Sequence, residues 1–378
     1  MRPRTFRWSW RWPVVAAGTA VLCALPVLAS ALPVSVPRLT AAQLRMRILA
    51  SQSISFAGYA ESNATFGLPP LGAFSSVSSL LDGTTKMQVW QASPQSWRVD
   101  TLADSSERDM YSDGATQYTW DSQQQLLTEI IGPQNIRLPV AADLVAPSLA
   151  VRLIKEAGTG AHLSLLPPQR VAGQAAAGLR LAPSDPASTV GEVDIWANPV
   201  SGLPLMVDII ARGGTRPALQ TQFFQVSAWR PDPAILTPRH SAASGFTVTT
   251  ANAFNGELSH LLARRLPRSL DGRTLTATPV PGANVYSSGL APFAVLAIRT
   301  SNDALMDDAV ASGATPFQAR VTDEHEPGGD LAVGASASAP LVSLVLVQEK
   351  GSPITYLLAG MVTRTVLMKA ALDLVAAI

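Results

Sequence analysis

The feature that most constrains this chain is a run of short alternating segments from Thr84 to Ile131. Thr85-Lys86-Met87-Gln88-Val89-Trp90 alternates polar with apolar residues, and a loop at Ser93-Pro94-Gln95 follows. Trp97-Arg98-Val99-Asp100-Thr101-Leu102 alternates again. Glu107 to Tyr111, a turn at Asp113-Gly114, Thr116 to Trp120 and Leu126 to Ile130 complete the run. Successive side chains of a strand point to opposite faces, so period two bounded by turn residues predicts an antiparallel meander. One face is expected to be polar and the other aromatic. A large sheet of this kind without a catalytic triad reads as a container or binding surface rather than an enzyme core, and no reaction follows from the sequence.

At 378 residues the chain is long enough for two domains. Its net charge of +1 gives no electrostatic basis for binding nucleic acid. Hydrophobic residues at 47% and charged residues at 15% fit a globular chain with a sizeable core and argue against long disorder. One cysteine, Cys23, excludes an intramolecular disulfide framework and a cysteine-based zinc cluster. His162, His240, His260 and His325 are too scattered for a local metal motif.

The N-terminus carries an export signal. Arg2, Arg4, Arg7 and Arg11 precede an apolar run from Val14 to Leu28, and Ala29-Ser30-Ala31 offers a cleavage site. The apolar character continues to Val36, so a retained membrane anchor fits as well as a cleaved signal. In both cases the basic flank stays cytoplasmic and the rest is exported. Leu22 before Cys23 is the wrong residue for lipid attachment, and Cys23 reads as a thiol within the apolar segment.

Thr40 to Ser53 predicts a helix capped by Thr40, and Ser55 to Glu61 a first strand. Phe66 to Leu81 is a long Gly/Pro/Ser-rich insertion, of the kind that forms lids or binding loops. Pro139 to Ala157 reads as a helix ended by Gly158, which Pro147 breaks in two. Strands resume over 169–173, 178–181, 191–196, 203–209 and 219–226. The Pro-rich stretch after Ala228 predicts a linker. Beyond it, Ala253 to Arg265 and Ser301 to Ala311 read as helices, and Phe293 to Ile298, Leu341 to Val347 and Ile354 to Leu358 as apolar strands. Thr363 to Ala377 predicts a closing helix capped by Thr363.

Chemical motifs are sparse. Gly334-Ala335-Ser336-Ala337-Ser338 lacks the second glycine of a nucleophile elbow, and no P-loop, dinucleotide fingerprint or H-E-x-x-H occurs. No cofactor and no metal are therefore expected, and no catalytic residue. Asp323-Glu324-His325-Glu326 contains metal-ligating types but reads as a solvated loop, because no converging ligands are evident. Asn63-Ala64-Thr65 matches a glycosylation sequon, a pattern common by chance. The aromatic and apolar strand residues carry a sharper pair of readings. Each alone is ordinary core. Together, Met87, Val89, Trp97, Val99, Tyr118, Trp120 and Trp196 could line a cavity inside a curved sheet, where an acyl chain gains about 0.8 kcal/mol per buried methylene.

Three stretches carry a family resemblance. They are Ser55-Phe56-Ala57-Gly58-Tyr59, the meander through Trp97-Arg98-Val99-Asp100 and Trp120-Asp121, and the hairpin Asp194-Ile195-Trp196-Ala197-Asn198-Pro199-Val200-Ser201-Gly202-Leu203-Pro204-Leu205. Over about residues 40 to 230 they resemble the lipoprotein-carrier-like superfamily, which includes the LolA and LolB carriers, LppX-type lipid-binding proteins and the MucB/RseB regulators of envelope-stress sigma factors. Plain carriers end after the barrel, whereas the additional residues here are similar to the MucB/RseB layout, including exported actinobacterial sigma-factor regulatory proteins. The resemblance implies an α+β chain: an N-terminal curved antiparallel half-barrel with covering helices, LolA-like, plus a smaller C-terminal α+β domain. The expected divisions are 1–38 for the signal peptide or anchor, 39–229 for the half-barrel, 230–250 for the linker and 251–378 for a partner-binding domain. The function it implies is an exported, extracytoplasmic, non-enzymatic regulator. Such a protein senses a lipid or lipoprotein ligand and modulates a membrane-bound anti-sigma factor or other membrane partner. A lipid or lipoprotein carrier is the alternative, and an exported hydrolase the remote one.

Overall fold

The computed structural model describes residues 34–67, 75–114, 116–132, 139–239, 244–251, 264–280, 282–299, 304–321, 330–349 and 352–377. Residues 1–33 of the N-terminal signal or anchor, with Cys23, residues 68–74 of the Gly/Pro-rich insertion, residues 253–263 of the predicted helix and the cluster Asp323 to Glu326 lie outside the described residues, whereas Ser75–Leu81 of the insertion are helical. Among the described residues no helix is long and apolar enough to cross a membrane.

The chain is a mixed α+β structure dominated by two large sheets. Helix α1 (Ala41–Ala50) opens it, and a 3-10 turn at Ser51–Ser53 continues the predicted helix. The Thr40 hydroxyl accepts from Gln43 N at 3.2 Å while the Gln43 side chain accepts from Thr40 N at 2.9 Å, a reciprocal capping box. Leu44 and Ile48, one turn apart, form its buried stripe.

Six strands then run as a meander: β1 (Phe56–Thr65), β2 (Asp82–Gln91), β3 (Ser96–Leu102), β4 (Glu107–Asp113), β5 (Thr116–Asp121) and β6 (Leu126–Ile131). Helix α2 (Ser75–Leu81) precedes β2. After β6, a 3-10 turn at Ala141–Leu144 leads into helix α3 (Ala146–Ala157). The break between them falls at Val145, and Pro147 sits in the first turn of α3, where a missing N–H costs nothing. Five more antiparallel strands follow: β7 (His162–Val171), β8 (Gln174–Ala182), β9 (Val190–Ala197), β10 (Pro204–Ala211) and β11 (Pro217–Ser227). β11 returns to pair with β1, so both strand runs join one sheet around the helical interruption.

The stretch expected to be a linker holds two elements. These are the short helix α4 (Pro233–Leu236) and strand β12 (Gly245–Thr250), which pairs parallel with β6 and completes a 12-stranded sheet. Helices α1 and α3 pack together on one face, over a core that includes Phe56, Ala60, Met87, Val89, Val99, Leu179, Ile195, Val207 and Phe223. Residues such as Lys86, Gln88 and Asp208 alternate onto the opposite, far face.

The second sheet has 8 strands: β13 (Ser269–Leu270), β14 (Arg273–Val280), β15 (Ala283–Tyr286), β16 (Phe293–Arg299), β17 (Thr315–Val321), β18 (Asp330–Ser338), β19 (Ser343–Glu349) and β20 (Ile354–Gly360). Helix α5 (Ala304–Ala311) packs with Leu346 and Leu357, whereas helix α6 (Arg364–Ala376) packs with Val345, Val347 and Leu358. Alternation along β19 and β20 thus serves two small cores. Thr363 stands at the start of α6, but its hydroxyl makes no capping bond; its backbone N–H donates to Ala187 O at 2.8 Å instead.

The two sheets meet through the β8–β9 connection. Arg273 pairs with Asp185 at 2.8 Å, Ser188 Oγ donates to Leu290 O at 2.6 Å, and Thr189 Oγ1 donates to Leu341 O at 2.6 Å. Ser188 also forms a β-bridge with Val362.

Candidate functional site

Register divides the meander's side chains. Val99 lies opposite Val89, Trp97 opposite Gln91, and Thr101 opposite Met87, all on the face beneath α1 and α3. Arg98 lies opposite Trp90 and Tyr111, Asp100 opposite Asp109, Tyr118 opposite Tyr111, and Trp120 opposite Asp109, all on the far face. The expected separation into a polar and an aromatic face does not hold. Aromatic rings occupy both faces, because the pattern places Trp97 and Trp90 on opposite parities.

The seven cavity candidates part accordingly. Met87, Val89, Trp97 and Val99 lie on the helix-covered face. Tyr118 and Trp120 lie on the far face, as does Trp196, which shares register with Met206 and donates from Nε1 to Pro167 O at 3.3 Å. These three do not converge with the other four.

A cavity of about 540 Å³ opens between α3 and strands β2 and β3. Val89, Trp97, Val99, Val145, Pro147 and Val151 give it apolar walls. Met87 is fully buried in the adjoining core and is absent from the walls. Gln52, Asp143, Arg152, Lys155 and Glu156 also border the cavity. Lys155 Nζ donates to the neutral Gln52 Oε1 at 3.0 Å. Arg152 Nη1 reaches Asp143 Oδ1 only at 3.5 Å, and Asp143 Oδ2 accepts from Val140 N at 3.0 Å. An apolar slot with a charged rim has the form of a site for an amphiphile.

The far face holds a different constellation. Arg98 forks onto Asp100 at 2.6 and 2.7 Å and reaches Asp109 at 3.0 Å. Its guanidinium sits 5.1 Å from the Trp90 ring and 4.9 Å from the Tyr111 ring, within cation–π range. Tyr111 Oη donates to Asp109 Oδ2 at 3.1 Å, and Asp109 Oδ1 is buried without a hydrogen-bond partner. Burial, then the neighbouring Asp100 charge, pushes the Asp109 carboxyl up to about 7. Burial raises the Tyr111 and Asp100 groups as well. Helix α4 crosses this cluster, with Arg98 Nη1 donating to Ile235 O at 3.5 Å, and a polar cavity of about 360 Å³ remains beneath it. Asp100, Glu107 and Asp109 each bring an oxygen within 4.8 Å of the others, a spacing that could hold a cation. The Arg98 guanidinium already fills that role. Further along the face, Arg180 forks onto Asp194 at 2.7 Å twice, and burial lifts the Asp208 carboxyl to about 6 although Gln220 donates to it. Arg98 and Asp109 were missed as a site in the sequence, although the i, i+2 spacing of Arg98 and Asp100 already places them on one face.

No protein-family model and no curated protein matches the chain. Among solved structures it is similar to a LolA superfamily protein from Nitrosomonas europaea, at 13% identity and a TM-score of 0.24, over 53% of this chain and 99% of that one. It is also similar to MucB, at 18% identity and a TM-score of 0.47, over 88% of this chain and 96% of that one. The complex of MucA and MucB from Pseudomonas aeruginosa is similar at 16% identity and a TM-score of 0.46, over 88% of this chain and 96% of that one. Both kinds of protein are ones that the sequence motifs resemble.

Proposed function

We propose that this chain is an exported, non-enzymatic regulator of the MucB/RseB type. In this reading the first sheet acts as a half-barrel around α1 and α3, and residues 39–229 together with β12 form its sensing unit. Residues 251–378 form the unit that binds a membrane-bound anti-sigma factor or comparable partner. The partner class comes from the sequence resemblance, and the ligand class from the cavity. The observation that carries the reading is the apolar cavity under α3, because the C-terminal end of the same helix approaches the β15–β16 connection of the second sheet. Its last turn, Glu156 to Gly158, faces Ser288, Gly289 and Leu290 across a gap of about 260 Å³, and Leu290 packs into the first core.

An acyl chain entering under α3 is therefore placed to alter the contact between the two units. It shifts partner affinity only by as much as it binds the two arrangements unequally. A lipid or lipoprotein carrier would use the same cavity and differs in releasing its ligand to an acceptor membrane. The test is twofold. Mass spectrometry of an organic extract of the purified full chain is expected to find a bound lipid. Affinity capture from cell membranes is expected to recover an anti-sigma factor whose retention falls when the lipid is added. Capture without lipid dependence defeats the regulatory reading, and ligand transfer between vesicles without any partner favours the carrier.

A further inference from the structure

Resting on the reading of the α3 cavity as an acyl site, we infer that its ligand is a single-chain phospholipid with a zwitterionic head, a phosphate joined to an ammonium. Volume sets the number of chains. A methylene fills about the space of one liquid water, ~30 Å³, so the cavity of about 540 Å³ holds one long acyl chain and not two. The walls contributed by Val89, Val99, Val145 and Val151 offer such a chain no polar group to satisfy.

The rim sets the head. Arg152 and Lys155 lie three residues apart on α3, a spacing that places them on neighbouring sides of one turn. Neither cation is firmly matched by a carboxylate: Lys155 holds a neutral amide, and Arg152 is half exposed with a stretched contact to Asp143. A phosphate accepts from both. Glu156 lies one turn beyond Arg152 and borders the same cavity; burial raises its carboxyl, and the Arg152 charge partly offsets this. Glu156 is the group that an ammonium would meet. A purely anionic head would leave Glu156 opposing it, and a neutral head would leave all three charges unused. The acylated cysteine of a lipoprotein, whose head is a neutral amide and thioether, fits this rim less well than the phosphoammonium head.

The inference is tested by calorimetric titration of the delipidated full chain with three probes sharing a sixteen-carbon chain (~16 carbons, matched to the cavity volume above). They are palmitoyl lysophosphatidylethanolamine, hexadecyl phosphate and monopalmitin, each below its micelle concentration. The zwitterion is expected to bind about tenfold more tightly than monopalmitin, as two charge-assisted contacts predict. Arg152→Gln with Lys155→Gln should erase that preference, and both positions are exposed, so the fold is retained. Glu156→Gln should bring hexadecyl phosphate level with the zwitterion. Equal binding of all three probes overturns the headgroup inference and leaves the acyl site standing, as does tighter binding of hexadecyl phosphate by the unmodified chain. Binding of none defeats the acyl site itself.

Discussion

The two faces of the first sheet solve burial in opposite ways. Under α1 and α3 the side chains are mostly apolar, satisfied by contact, and they wall a slot whose polar groups sit mainly at its rim. On the far face the same strands bury Asp100, Asp109, Asp194 and Asp208, whose charges are held by Arg98, Arg180 and Gln220. An apolar face can take in a foreign chain because no bond must be broken to admit it. A face built on ion pairs is specific to its own partners, since a buried charge without its counterion is costly. Under the function proposed above, ligand would enter on the helix-covered face, while the far face, with its raised carboxyls, is the pH-sensitive one.

The largest effect should come from breaking the far face. Arg98→Ala leaves two buried carboxylates uncompensated and should cost about 3–5 kcal/mol at neutral pH, measured by urea unfolding. Part of that loss should return at pH 5, where the Asp109 carboxyl, raised to about 7, is protonated. A cost unchanged between the two pH values would remove the distinction between the faces. Next, Ile154→Ala, fully buried in α3, should cost about 2–4 kcal/mol. That cost should be flat with pH, since Ile154 packs in the apolar core.

Asp109→Asn comes third and isolates one proton. The folded carboxyl is raised from 3.8 to about 7, so well below pH 3.8 folded and unfolded chains are both protonated and the group has no effect. As pH rises from 4 toward 7 the unfolded chain loses the proton first, and stability falls. The variant should lack that fall and gain on the order of 1–3 kcal/mol relative to the unmodified chain between pH 4 and 7.5. Fourth, Thr40→Ala should remove the capping box of α1 for about 1 kcal/mol. Thr363→Ala, whose hydroxyl caps nothing, should change stability much less.

Period two is enough to find β2 to β6 and β9 to β11, because apolar residues on the helix-covered face alternate with polar or charged ones on the far face, even where both faces are buried. It could not say which aromatics share a face with α3, since that depends on register against a helix distant in sequence. Trp120 and Trp97 look alike in the chain and end on opposite sides. In the sequence β12 reads as linker, because its pairing partner, β6, lies more than a hundred residues earlier and its own side chains are mostly exposed. The Gly/Ala/Ser stretch of β18 does not look like a strand, yet its small residues are required. A Cβ on Gly334 would lie 2.3 Å from the Phe317 ring and 2.4 Å from Leu346 O. β14, β15 and β17 carry prolines, irregular register or short length that hide the alternation.

The junction between the sheets has a mechanical consequence. The backbone of Ala187 to Thr189, in the β8–β9 connection near one edge of the first sheet, is hydrogen-bonded directly to Met361 and Thr363, so the C-terminal unit is riveted to that end of the sheet as well as tethered by the chain after β11. A pull on the second unit by a membrane-bound partner would load β9 and β20 in shear, across bonds that must fail together. Tension would reach the sheet that carries the cavity before the slack of the connecting chain was taken up.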